Sequence, residues 1–325
     1  MNAEPAWIGL AALWLALLLD CVFGEPPARW HPVVWMGHYL GWMGRLIAPR
    51  ARTPLGADFK RFFAGALAWA LGACMVAALA LALQAAASRL PAWAGVLLIG
   101  IALKPMLAWR MLRREVVSVE RALAESLDAG REQLSYLVSR DVTRLSESEV
   151  RESAIESLAE NLNDSLVAPL FWFVLFGLPG AAVYRFANTA DAMWGYRGER
   201  EGRQWEWAGK WAARADDLLS WLPARLTALF LWSCARSRPA SAGGRAIFRE
   251  ARRTPSPNSG WPMAAMALQL GVRLAKPGVY VLNAEGRGAS ADDTAKAVQL
   301  AARVVVVAGL CATAASACLL LMGGA

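Results

Sequence analysis

Two stretches of the chain carry almost nothing but apolar side chains. Residues 62–87 hold no formal charge and one strongly polar side chain, Gln84, and residues 304–322 hold no charge at all. A hydrocarbon core about 30 Å thick takes about 20 helical residues to cross, so both stretches predict membrane-spanning helices. Two weaker stretches predict two more: 7–23, interrupted by Asp20, and 91–109, interrupted by Lys104 near its end. The first of these lacks a basic start and a small-residue cleavage site and runs straight into Gly24-Glu25-Pro26-Pro27. It therefore reads as a helix of the mature protein and not as a signal peptide.

Between 110 and 164 the pattern turns polar, with Val116, Val119, Leu123 and Leu127 at helical spacing. Ser146 followed by Glu149 is the signature of a capping box, so a helix restarts there. That helix carries Glu156, Glu160 and Asp164 four residues apart, hence on one face, directly into the apolar stretch 166–184. Gly177-Leu178-Pro179-Gly180 breaks that stretch, leaving two alternatives, a simple span or a re-entrant pair of half-helices. Residues 218–235 are apolar but contain Pro223 and Arg225, which predicts a helix lining a cavity or lying at the interface. Residues 236–303 are polar and rich in Arg. The sum is an all-α, polytopic integral membrane protein, a single domain with about five to six apolar helices. Its polar regions 110–164 and 236–303 are expected on the cytoplasmic side, because basic loops stay inside.

Composition fits this: 57% of residues are hydrophobic and only 18% charged. The formal charge of +8 does not indicate nucleic acid, since Lys and Arg are scattered over several loops between apolar stretches. Cys21, Cys74, Cys234, Cys311 and Cys318 show no CxxC spacing and are expected to be small buried hydrophobes. Most of the 16 Trp are expected at the headgroup level. No GxxxxGK[ST] sequence occurs, so a nucleotide site, if present, is not a P-loop.

Several motifs together resemble one family. They are Leu18-Leu19-Asp20 with Gly24-Glu25-Pro26-Pro27 and His31-Pro32-Val33, Glu156-Ser157-Leu158-Ala159-Glu160-Asn161 with Asp164, and the stretch from Tyr184-Arg185-Phe186 through Asn188-Thr189-Ala190-Asp191. Asp216-Asp217, Pro223-Ala224-Arg225 and Pro255-Ser256-Pro257-Asn258-Ser259-Gly260-Trp261-Pro262 follow in order. The set resembles the CobD/CbiB family along nearly the whole chain, with Ala190 and Ser259 as small departures. The resemblance implies a cobalamin-biosynthesis ligase of the cell inner membrane, with its active site facing the cytoplasm. It would join the f-propionate carboxylate of adenosylcobyric acid to (R)-1-amino-2-propanol or its O-phosphate, giving adenosylcobinamide or its phosphate. ATP and Mg²⁺ are implied, the corrinoid is substrate and not cofactor, and other membrane enzymes of the corrinoid pathway are candidate partners. A non-enzymatic membrane sensor similar to AmpE is the alternative.

Amide synthesis from a free carboxylate needs an activated acyl group, so the site should hold Mg²⁺ and phosphates. Glu160, Asp164 and Asp191 are the candidate catalytic residues and oxygen ligands for Mg²⁺, with Asn161 and Asn188 beside them. Arg185 and Arg225 offer paired donors to oxyanions. Ser256 and Asn258 lie in a proline-stiffened loop that is either part of the site or a helix start capped by Ser259. His31, followed by Pro32, is either a substrate contact or a structural loop histidine.

Overall fold

A computed structural model describes residues 6–50, 56–235 and 243–323; residues 236–242, at the start of the predicted polar region 236–303, lie outside these. In chain order the helices are α1 (Ala6–Phe23), α2 (Pro32–Ile47), α3 (Phe59–Ala87), α4 (Ala92–Leu103), α5 (Trp109–Glu125), α6 (Leu127–Ser135) and α7 (Glu147–Leu162). Then come α8 (Ala168–Trp194), α9 (Lys210–Leu219), α10 (Trp221–Cys234), α11 (Gly244–Ala251), α12 (Gly260–Leu270) and α13 (Ala291–Gly323). Two antiparallel hairpins interrupt them, β1 (Glu199–Arg200) with β2 (Arg203–Gln204), and β3 (Leu274–Lys276) with β4 (Tyr280–Leu282). Hydrophobic periodicity did not reveal the hairpins because their strands are two or three residues long. Pro277-Gly278, at the turn of the second, was the available signal.

The protein is an all-α polytopic membrane protein. Among the described residues four helical runs are long and apolar enough to cross a bilayer: Phe59–Ala87, Ala92–Glu125, Glu147–Trp194 and Ala291–Cys318, with Trp7–Phe23 shorter. The predicted stretch 218–235 supplies only α10, whose 14 residues reach about 21 Å, less than a hydrocarbon core. The stretch 91–109 is α4, a turn of 3-10 helix at Lys104–Met106 containing Pro105, and the start of α5. Capping chemistry sets several starts. Ser146 and Glu149 form the predicted reciprocal box on α7, Asp58 accepts from Arg61 N at α3, and His31 Nδ1 accepts from Val33 N at α2.

The chain divides into two compact units, Met1–Leu107 with Ala168–Ser220 and Ala312–Ala325, and Ala108–Val167 with Trp221–Cys311. The first holds α1 to α4, α8 and α9. Small residues allow its helices to approach closely, as where Gly100 of α4 meets Leu15 and Ala12 of α1. Trp194 of α8 is fully buried, donates to Leu40 O (3.1 Å) and stacks on Trp205, so these two are core residues and not headgroup anchors. Cys21, Cys74, Cys311 and Cys318 are exposed on apolar helices, contrary to the expectation of burial, because a helix face turned to hydrocarbon needs no protein cover.

Within α8 the backbone breaks at Gly177 (φ 64°, ψ −155°), two residues before Pro179. The freed Leu178 N–H donates to the Gln84 side-chain oxygen of α3 (3.1 Å). In a straight helix residues eight apart are separated by about 12 Å. Here a Cβ on Gly180 would lie 2.3 Å from Trp172 O, so the chain folds back on itself. Trp172 donates to Leu219 O (3.0 Å) and Tyr184 shares a hydrogen bond with the adjacent Ser220 (3.1 Å), one from each arm. The stretch 166–184 is thus centred on a hairpin of two half-helices, the second of the sequence's two alternatives in its local geometry. The broken backbone is tolerated because Gln84 replaces the lost intrahelical partner.

Gly177 is therefore irreplaceable on two grounds, a positive φ that L residues avoid and a Cβ that would meet Gln84 at 2.4 Å. Gly177→Ala is expected to lower stability by about 1 to 3 kcal/mol, read as a fall in the unfolding temperature in detergent. An unchanged midpoint would show that the turn does not depend on this conformation.

Candidate functional site

In the second unit the acidic face of α7 is met by basic and phenolic side chains from elsewhere in the chain. Glu156 is buried and paired with Arg140 (Nη2 to Oε1, 3.0 Å). The Tyr280 hydroxyl of β4 donates to the Met263 sulfur (3.8 Å) and lies within the electrostatic reach of Glu156. Burial raises the pKa of the Tyr280 phenol well above its ordinary value, and the charges of Glu156 and Glu160 raise it further. It therefore remains a donor at any working pH. Glu160, one turn on, feels the like charges of Asp164 and Glu156 and the opposite charges of Lys276 and Arg140.

Directly after Glu160 the helix widens into a π-turn, Asn163–Val167, whose Ser165 carbonyl accepts from Ala108 N (3.1 Å). Such turns insert one extra residue and recur at functional sites because they re-aim side chains. Here Asn163 donates to Asp164 (2.8 Å) while its carbonyl accepts from Thr227 of α10 (3.0 Å). Two residues before Thr227, Arg225 donates to Asn258 Oδ1 (3.0 Å) and Pro257 O (3.3 Å), with its guanidinium between the rings of Trp221 and Trp261. Ser256 Oγ accepts from the backbone N–H groups of Asn258 and Ser259 (both 3.2 Å). The loop therefore starts α12 through Ser256. Ser259, the expected cap, makes no side-chain capping bond.

The structure thus places Glu160, Asp164, Arg225, Ser256 and Asn258 in one unit, and joins Arg225 directly to Asn258. Asn161 turns its amide back on its own helix, donating to Ser157 (2.9 Å to the carbonyl). Asp191, Asn188 and Arg185 belong to the other unit, on the second arm of α8. There Asn188 donates to Asp216 (3.4 Å), and Asp191 lies against Gly195, whose N–H donates to the Asp191 carbonyl (2.7 Å). Burial raises the Asp217 carboxyl above its usual range, with Arg197 pulling it back in part.

Sequence reasoning missed Arg140, Lys276 and Tyr280. Arg140 read as part of a break between helices, and Lys276 and Tyr280 flank the unforeseen hairpin. It also missed Lys104, a buried cation 3.3 Å from Asp20 Oδ1 and 3.0 Å from Glu25 Oε2, the latter oxygen lying 2.8 Å from His31 Nε2. A charge inside an apolar stretch was the available signal. His31 is tied at both nitrogens, to Glu25 and to the start of α2, which is the structural reading.

The residues can be tested against Mg²⁺ and nucleotide phosphates. Among the described residues no group of three or more His, Cys, Asp or Glu side chains forms a metal cage. Mg²⁺ commonly takes only one or two carboxylates and completes its shell with water and phosphate oxygens, a demand Glu160 and Asp164 meet. Arg140 Nε and Nη1 are buried without a hydrogen-bond partner, as is Glu156 Oε2, so the wall beside Glu160 has donors left for an anion. The residues fit the group.

The comparisons agree on one assignment. A model of the CobD/Cbib protein family matches residues 13–306. The chain belongs to the CobD/Cbib family. It is 39% identical over 305 residues to the probable cobalamin biosynthesis protein CobD of Methanothermobacter thermautotrophicus, covering 93% of this chain and 96% of that one. Against the protein of the same description from Pyrococcus abyssi it is 43% identical over 271 residues, 83% and 84% of the two chains. Against the cobalamin biosynthesis protein CobD of Rhodobacter capsulatus it is 41% identical over 278 residues, 83% of each. No solved structure matches the chain. The family match spans both compact units, so the acid face of α7 and the Arg225–Asn258 contact lie within a CobD/Cbib protein.

The Glu25 carboxyl gives a pH prediction. Burial alone would raise its pKa, but the hydrogen bond with His31 and the charges of Lys104 and His31 outweigh that, and the net shift is downward. A depressed carboxylate contributes stability above its unfolded pKa and loses it as pH falls through the folded one. The wild-type midpoint should fall as pH drops below the usual carboxylate range, and Glu25→Gln should flatten that limb in a thermal melt followed across pH. Parallel limbs in the two proteins would remove Glu25 from the cause.

Proposed function

We propose that this CobD/Cbib protein acts in cobalamin biosynthesis as an amide-forming ligase. On this reading it condenses the f-propionate of adenosylcobyric acid with (R)-1-amino-2-propanol or its O-phosphate, using MgATP. The observation that carries the reading is the wall of α7, where unsatisfied Arg140 donors stand beside the Glu156–Glu160–Asp164 face. Both signs of charge are what a site needs that must hold phosphates and an amine together.

MgATP supplies the leaving group that turns a carboxylate into an acylating agent. The chain's residues do the rest. Arg140 and Lys276 offset phosphate charge, and Arg225, held flat between two indoles and fixed by Asn258, presents its remaining donors to an oxyanion. Glu160 and Asp164 hold Mg²⁺. Glu156, whose position Arg140 fixes, attracts the ammonium of the amine and accepts its proton before attack.

Turnover is tested with purified protein in detergent, adenosylcobyric acid, MgATP and either amine, with product mass measured. Glu160→Gln, Asp164→Asn and Asp191→Asn should keep the fold, since size is preserved. Each should lower kcat by about 10² to 10³, the usual cost of losing one electrostatic contact at a transition state. Near-normal turnover in all three would sink the assignment, and no amide product from wild type under any condition would sink the ligase itself.

A further inference from the structure

The first unit encloses a cavity of about 870 Å³ between the end of α1, α2, α3, the end of α4 and the second arm of α8. We propose that it holds one acyl chain of a bilayer phospholipid, an inference independent of the amide-forming reading.

Three features point to that occupant. First, α3 contributes Gly72, Met75, Val76, Leu79, Ala80 and Leu83, one stripe at helical spacing. Eleven steps at 1.5 Å make the stripe about 16 Å long. That is close to half of a hydrocarbon core about 30 Å thick, the length of one leaflet's chains. Second, the rim is apolar and open to the outside of the helices. Phe23, Met75, Leu79 and Ile101 line the cavity and are each more than half exposed, on helices whose outer faces meet hydrocarbon. A chain can therefore enter sideways from the bilayer without crossing water.

Third, two aromatic polar groups of the wall are committed elsewhere. Tyr39 donates to Ala68 O (2.7 Å) and Trp35 to Arg29 O (3.0 Å), so both turn apolar ring surface to the cavity. Lys104 and Glu25, the charged lining residues, form an ion pair (3.0 Å), with Lys104 Nζ and Glu25 Oε1 making no hydrogen bond. Along the α3 stripe, which carries no polar side chain, a ligand edged with amides or phosphate would leave its own polar groups unsatisfied. A hydrocarbon chain has none to satisfy.

The test is photolabelling in liposomes containing a phosphatidylcholine with a diazirine in one acyl chain, with labelled positions mapped by peptide mass spectrometry. Label is expected on Val76, Ala80 and Ala102 inside the cavity as well as on Phe63 and Leu67, exposed positions on the same α3. Val76→Trp and Ala102→Trp fill the space and should abolish the cavity label while leaving Phe63 and Leu67 labelled. A wild-type protein labelled only on its exposed positions overturns the proposal. So does loss of the cavity label on adding saturating adenosylcobyric acid, which would make the cavity a substrate site. Should the Trp variants fail to fold, native mass spectrometry of wild type during detergent exchange decides. One phospholipid retained after the rest are stripped supports the acyl chain, and complete removal with the first wash overturns it.

Discussion

A charge in an apolar surrounding must be compensated by a partner, and this single requirement organises both units. Along α7 it is met from outside the helix. Arg140 pairs with Glu156 from the segment before Ser146, and Lys276 and Tyr280 arrive on a hairpin more than a hundred residues later in the chain. The remaining buried acids obey the same rule: Glu152 with Arg273, Glu250 with Arg253 and the Asn283 N–H, and Asp293 with Arg287 and Ser290. Compensation is incomplete in both units: donors of Arg140 are left over beside Glu156, and Glu152 Oε2, Glu25 Oε1 and Lys104 Nζ also make no hydrogen bond.

Backbone groups face the same demand. Where α8 breaks at Gly177, Gln84 of α3 supplies the missing acceptor, and this explains the one strongly polar side chain in an otherwise apolar 62–87 stretch. Where α7 widens at Asn163–Val167, the N–H of Ala108 takes up the Ser165 carbonyl. Each irregularity sits next to a motif shared with the CobD/Cbib family, one before Tyr184-Arg185 and one beside Glu160 and Asp164. Irregular backbone of this kind lets neighbouring side chains point at one spot, which a regular helix does not allow.

The two units answer to different solvents. The first is largely helix packed against helix through small residues, with apolar side chains turned outward and a mostly apolar cavity whose charged lining residues form an ion pair. The second gathers the polar helices α5 to α7 and α11 with the β3–β4 hairpin around the apolar α10, α12 and the first part of α13, and ion pairs and amide hydrogen bonds join its polar side chains. Membership in a family of cobalamin-biosynthesis proteins suits such a division, since a corrinoid substrate is water-soluble while the protein is bound to the bilayer.

By itself the sequence determined the fold class, the long apolar helices, the capping box at Ser146 and the common face of Glu156, Glu160 and Asp164. All of these are local, following from helical spacing within a few turns and from the length a bilayer requires. It also determined the family, because the motifs are contiguous strings. Tertiary structure decided the rest: that Arg225 would meet Asn258, that Thr227 would hold Asn163, and that Arg140, Lys276 and Tyr280 would close on α7. It further decided that the break at Gly177 makes a hairpin rather than a kinked span, and that Trp194 is core. These facts depend on which distant side chain satisfies which buried group, and periodicity along one helix carries no record of its partner.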